Sequence, residues 1–188
     1  MLLLSLSTFS STGGVQRAIC SLAHALKCIA KERSGQTFDM LAMEDTISDV
    51  RYVNENQFQG FSGNRLSFLY KGIIKGVKSR VVILSHINLI PVAIVIRIIT
   101  RKPKLIVVAH GIEVWSAMPT WKKLFLNNYM HIWAVSDFTK SQLITVNGIH
   151  YNRITTLNPP IDPFFEIPSE FVKSEELIER YKLSDYIR

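Results

Sequence analysis

Cysteine is scarce in this sequence, with two among 188 residues, which excludes a disulfide framework. Cys20 and Cys28 fall on one expected helix, where eight residues at a rise of about 1.5 Å hold them about 12 Å apart. A disulfide spans no more than about 7 Å between Cα atoms. Two free thiols fit a reducing compartment. Acidic residues are missing altogether from 56 to 112, so that stretch offers nothing to repel an anion. Long hydrophobic runs are missing too. Met1-Leu2-Leu3-Leu4-Ser5-Leu6-Ser7 has no basic flank and too short an apolar run for a signal peptide; a first β-strand accounts for it. Residues 81–100 come nearest to the roughly 20 needed to cross a bilayer, but His86, Asn88, Pro91 and Arg97 interrupt them. Ser85-His86-Ile87-Asn88 reads as a turn between a strand and an apolar helix. No G-x-G-x-x-G, P-loop or G-x-S-x-G stands anywhere, and the five His and two Cys form no ligand cluster. Zinc, zinc fingers and RNA-binding aromatic motifs are thereby set aside.

What is present is globular in character. Hydrophobic residues make up 47 % and charged residues 20 %, enough for one domain or half of a larger enzyme. A chain this long buries roughly 70 % of its unfolded surface. The net charge is +7, which attracts phosphates, anionic lipid or nucleic acid without choosing among them. Basic residues crowd the acid-free stretch: Arg65, Lys71, Lys75, Lys78, Arg80, Arg97, Arg101, Lys102 and Lys104. From Asp162 onward acids prevail.

Apolar spacing predicts strands alternating with helices. Strands are expected over 2–6, 38–43, 50–53, 81–84, 105–109, 132–135 and 154–157. Helices are expected over about 15–29, 65–78, 89–100, 120–130 and 137–146, the last capped by Ser136. In the 65–78 helix Leu66, Leu69, Ile73 and Val77 are assigned to the core, with Lys71, Lys75 and Lys78 on the other side. Continuous apolar strands between helices imply a parallel sheet covered on both faces. Asn158-Pro159-Pro160-Ile161-Asp162-Pro163 continues neither strand nor helix and marks a boundary, with an acidic helix over about 175–182 beyond it.

Three segments at strand ends carry the chemistry. Gly13-Gly14 lies between the first strand and first helix, where free N–H groups and the helix dipole favour an anion; a tight turn explains the pair equally well. His110-Gly111-Ile112-Glu113 follows a buried strand, at the edge where parallel sheets gather ligands. Its His suits a sugar hydroxyl or a developing positive charge, or simply a structural bond. Val135-Ser136-Asp137-Phe138-Thr139-Lys140 repeats the arrangement: Ser136 and Lys140 suit an anion, and plain capping suits Ser136 and Asp137. Trp115 and Trp121 near Lys122 and Lys123 are read as core or rim packing.

Together, Gly13-Gly14-Val15-Gln16-Arg17, His110-Gly111-Ile112-Glu113-Val114-Trp115, Val135 to Lys140 and Asn158-Pro159-Pro160-Ile161-Asp162 resemble, in order and spacing, the N-terminal half of the family 4 glycosyltransferases of GT-B architecture. Residues 46–64 carry no matching motif. The resemblance implies an α/β fold, a Rossmann-like parallel sheet with helices on both faces. Residues 1–162 would form the acceptor-side domain. Residues 163–188 would form an acidic linker leading to a missing C-terminal nucleotide-sugar domain. It further implies retaining transfer from a nucleotide-sugar, a substrate rather than a cofactor, to a glycan or lipid-linked acceptor, with no metal and no nucleic acid partner. His110 is then the catalytic residue beside the transferred sugar. Gly13, Gly14 and Gly111 are donor-binding, and Arg17, Glu113, Ser136 and Lys140 are offered to the acceptor. Such an enzyme is cytoplasmic, and this fragment alone would be inactive; Lys71, Lys75, Lys78, Arg101 and Lys102 suit an anionic inner membrane face, or equally a plain solvated face. A non-catalytic sugar- or nucleotide-binding module is the alternative, and a basic nucleic-acid binder rests on charge alone.

Overall fold

A computed structural model describes residues 1–166 together with 179 and 180. Seven strands form one sheet: β1 (Leu2–Ser5), β2 (Asp39–Ala42), β3 (Phe58–Gly60), β4 (Val81–Leu84), β5 (Lys104–Ala109), β6 (Met130–Ala134) and β7 (Ile154–Thr156). Their order is β3-β2-β1-β4-β5-β6-β7, and every pairing is parallel. This is the expected Rossmann-like α/β sheet. The chain steps outward from β1 to β3, then returns to the other side of β1 as β4. The order reverses between β1 and β4, which opens a crevice at their carboxyl ends.

The strands alternate between two cores. Leu3, Met40, Ile83, Ile106 and Val108 face one side, where Ile19, Ala23 and Leu26 of α1 (Gly14–Glu32) cover them. Leu2, Leu4, Leu41, Val82, Leu84, Val107 and Ile132 face the other. There they meet α2 (Arg65–Lys78), α3 (Ile90–Ile99), α5 (Thr120–Tyr129) and α6 (Asp137–Thr145). The short α4 (Ile112–Trp115) follows β5.

Two expectations fail. The strand placed at 50–53 is a turn, and the edge strand is instead Phe58–Gly60. The Asp49 carbonyl accepts the N–H groups of Tyr52 and Val53, and its carboxylate holds the Arg51 guanidinium at 2.6 Å, so the backbone curls rather than extends. Val53 is buried within that turn, while Val50 is exposed. The second failure is part of the inner face of α2: Ile73 packs against the core as expected, but Leu66 and Leu69 do not. Leu66 is 80 % exposed and Leu69 38 %, whereas Phe68, Gly72 and Gly76 are buried. A Cβ on Gly72 would lie 3.5 Å from Leu4, and one on Gly76 would meet Ile96 of α3. A methyl at Gly72 would thus be in ordinary contact with Leu4, whereas Gly76 lets α2 press onto α3 closer than a larger side chain allows.

The lysines of α2 also differ from a free basic face. Lys75 pairs with Asp39 at 2.8 Å, while Lys71 and Lys78 are exposed. Among the described residues no helix is long and apolar enough to cross a membrane. Past β7 the chain stays against the domain. Asp162 accepts the Tyr52 hydroxyl at 2.6 Å, and the Phe164 ring stands edge-on to His24 and Tyr52. Desolvation, then the bond to Asp162, pushes the Tyr52 phenol up to about 12. The acidic helix expected over 175–182 lies outside the described residues, apart from Glu179 and Arg180, which are helical.

Candidate functional site

The loops leaving β1, β4, β5 and β6 line the carboxyl edge of the sheet and are tied to one another in series. The Ser85 N–H donates to Leu4 O at 2.8 Å, and the Val135 N–H to Ala109 O at 3.0 Å. Gly13, His110 and Ser136 therefore stand on the same edge, as expected, and β1 is an interior strand beside the reversal.

The β1–α1 loop is organised by a residue the sequence did not single out. Asp45 is fully buried, and its carboxylate accepts three consecutive N–H groups, from Thr8 (2.8 Å), Phe9 (3.0 Å) and Ser10 (2.7 Å). Ser5 and Thr8 share a buried hydroxyl contact of 2.7 Å, and Ser7 reaches Ser10 and Ser11 at 3.0 Å. No local pattern announces Asp45, because its partners lie 35 to 37 residues away.

This loop delivers Gly13 and Gly14 to the start of α1. Gly13 is extended and caps the helix without a side chain, and the first turn contains no acid. The first capping bond runs from Arg17 N–H to Gly13 O. The preceding N–H groups of the turn thus stay unused by the helix, at its positive end. Space beside Gly14 is open where a Cβ would project. Neither glycine is demanded by backbone conformation, and a Cβ at Gly13 would meet the Gln16 side chain at 2.6 Å. Arg17 is exposed and lines a cavity of about 320 Å³ together with Thr8 and Ser11 of the loop and with Tyr52 and Asp162.

His110 is half-buried at the end of β5. Its Nε2 lies 2.9 Å from Ser85 O. A carbonyl only accepts, so Nε2 carries the hydrogen and Nδ1 of the neutral ring is an acceptor. Burial pushes the imidazole below its ordinary value of 6.5; the bond to Ser85 and the charge of Glu113 oppose that shift, and His86 adds to it. Glu113 accepts the His110 backbone N–H at 2.6 Å, so one carboxylate oxygen already fastens the turn. Gly111 sits at φ 158°, ψ −103°, and a Cβ there would lie 3.3 Å from the Trp115 ring. Only glycine makes this corner without strain.

At the end of β6, Ser136 Oγ accepts the Thr139 N–H at 3.1 Å and contacts Thr139 Oγ1 at 3.0 Å. Its hydroxyl is used in capping α6. Lys140 sits in the first turn behind it. The His110 and Ser136 segments pack together: the Trp115 and Phe138 rings meet edge-on at 5.3 Å. Buried Asn147 bonds Val114 O at 2.7 Å and the Met118 N–H at 2.8 Å. Trp115 and Trp121 are rim residues, both partly exposed. Among the described residues no three His, Cys, Asp or Glu side chains gather to hold a metal ion. The larger cavities lie elsewhere, about 650 Å³ beside Met1, Asp39 and Arg80, and about 880 Å³ beside His24 and Gln57.

No family model matches the chain, and no curated protein matches it in sequence. Solved structures match its fold. HepE from Anabaena in complex with UDP-glucose superposes with a TM-score of 0.60 and 14 % identity, over 98 % of this chain and 50 % of that one. The same protein with UDP gives 0.57 and 14 %, over 84 % and 43 %. A glycosyltransferase from Rickettsia africae gives 0.57 and 18 %, over 97 % and 49 %. The chain spans about half the length of the structures it matches. Its seven-stranded parallel sheet with helices on both faces is a glycosyltransferase-like, Rossmann-like fold.

Proposed function

We propose that this chain is the acceptor-side half of a retaining family 4 glycosyltransferase that moves a hexose from a nucleotide-sugar to a glycan or lipid-linked acceptor. One observation carries the reading: on a fold similar to half of HepE with UDP-glucose, the Gly13-Gly14 helix start and the His110 imidazole share the carboxyl edge of the sheet. Departure of a nucleoside diphosphate develops negative charge, and the unused N–H groups of α1 are suited to it. The anomeric carbon develops positive charge as in other glycosyl transfers. A neutral His110 with Nδ1 open accepts a hydrogen bond from a hydroxyl beside that centre without adding a like charge. Gly111 and Glu113 hold the His110 turn, and Arg17 and Lys140 are cations available to the acceptor. The nucleotide-sugar is substrate, and the proposal includes no metal or other cofactor.

We further propose a cytoplasmic location with docking at an anionic membrane surface. Lys71, Lys78, Arg101 and Lys102 would supply it, each contributing about 1 kcal/mol near such a surface; Lys75, paired with Asp39, contributes less. The test is titration of the ¹⁵N-labelled chain with UDP-glucose, and separately with duplex DNA. The amides of Gly13, Gly14 and Val15 and the His110 ring are expected to shift with UDP-glucose and not with DNA. The chain alone should transfer no sugar. Silence at these groups in saturating UDP-glucose would sink the reading.

A further inference from the structure

A second histidine stands at the reversal point of the sheet. His86 lies two residues past the end of β4, next to Ser85, whose carbonyl holds His110. Its Nδ1 lies 3.1 Å from the Asn88 N–H. An N–H only donates, so Nδ1 is the acceptor and Nε2 carries the ring hydrogen. His110 has the same tautomer for the opposite reason, because its Nε2–H is taken by Ser85 O. The two rings therefore leave different atoms unused: His110 keeps an acceptor and His86 keeps a donor. Among the described residues neither atom has a partner, and the only fully buried side-chain nitrogen or oxygen without one is Arg97 Nε. Both free atoms therefore reach solvent. The rings belong to one electrostatic cluster: His86 depresses His110, and Glu113 acts on both. Burial keeps both below the ordinary imidazole value, so both are neutral at pH 7.

We infer that His86 and His110 form one recognition pair for adjacent hydroxyls of a sugar, His110 Nδ1 accepting from one hydroxyl and His86 Nε2–H donating to the next. Each sugar hydroxyl both gives and takes a hydrogen bond, so an acceptor beside a donor fits a vicinal diol and discriminates against a ring lacking either hydroxyl. His86 is thereby a specificity-determining residue of the site proposed above, and the inference rests on that reading.

Long-range ¹H–¹⁵N correlation spectra of the 188-residue chain at neutral pH test it directly. Both rings are expected as Nε2–H tautomers before ligand is added. On titration with UDP-glucose, His110 Nδ1 and His86 Nε2 are expected to move along one saturation curve, and with UDP alone neither should follow it. His86→Phe keeps the ring volume and removes both nitrogens; it should weaken UDP-glucose binding about tenfold and leave UDP binding unchanged. Shifts at His110 and Gly13 with a silent His86, or separate curves for the two rings, overturn the pair while sparing the transferase reading. Silence at Gly13, Gly14 and both rings overturns both.

Discussion

Replacing Asp45 removes the acceptor on which the β1–α1 loop is built, and the structure sets the size of the effect. Three N–H groups converge on this one carboxylate, at 2.7 to 3.0 Å. Hydrogen bonds to a charged group contribute about 1.5–3 kcal/mol each, and a buried donor left unpaired costs about 1–3 kcal/mol. In Asp45→Ala the Thr8 N–H is stranded in a buried position, while those of Phe9 and Ser10 are only part-buried and can turn to water. The expected loss is therefore below the sum, about 4 kcal/mol, a large share of the 5–15 kcal/mol typical of a domain. Asp45→Asn keeps one oxygen for Phe9 and Ser10 but sets an amide against Thr8, for about 2 kcal/mol. Urea denaturation gives the stabilities, and amide exchange at residues 8–10 shows whether the loop opens locally. Exchange there should accelerate in both variants more than in β4 or β5. A loss under about 0.5 kcal/mol in Asp45→Ala, with unchanged exchange at residues 8–10, would refute the assignment of Asp45 as organiser of the loop.

Gly76→Ala gains about 1 kcal/mol of helix propensity but drives a methyl into buried Ile96, costing about 1–3 kcal/mol, so a net loss near 1 kcal/mol is expected by urea midpoint. Adding Ile96→Val removes the opposing Cδ1 and should recover part of that loss; strict additivity would show that the contact is not the cause. Gly111→Ala should destabilise by about 2 kcal/mol because φ 158° with ψ −103° is closed to other residues, and an unaffected melting temperature would contradict the corner described. His86, His110 and His131 are all held below 6.5 by burial. The unfolded chain then binds protons the folded one refuses, so stability is full above about pH 6.5 and falls as the pH drops from there toward the lowered values. Urea midpoints at about pH 7.5 and 5.5 check the sign, and a midpoint that rises toward acid would be the wrong one.

Much of the fold was legible because its signals are local. Apolar runs such as 81–84 and 105–109 lie in the buried strands β4 and β5, and the helical periods of 15–29 and 65–78 lie within α1 and α2. The Ser136 cap needs only the Thr139 N–H three residues on. The sequence also placed Gly13, His110 and Ser136 beyond apolar strands, and a parallel sheet puts all such positions on one edge.

What tertiary structure alone decided are the partners that lie far along the chain. Alternation could not say that Val53 packs inside a turn, nor that α2 buries two glycines in place of Leu66 and Leu69, because both depend on how closely another element approaches. Asp45 carries no signal in the sequence, and its role exists only once Thr8, Phe9 and Ser10 are brought to it. Asn147 gained its role from Val114 and Met118, and Lys75 lost its place in a free basic face to Asp39. The tautomer of His110 follows from the Ser85 carbonyl that the packing of β4 against β5 sets beside its ring, whereas that of His86 is fixed locally by the Asn88 N–H. Periodicity records which residues avoid water, since that preference belongs to each side chain. The partner of a buried polar group belongs to the fold, because it is fixed only when two distant segments meet.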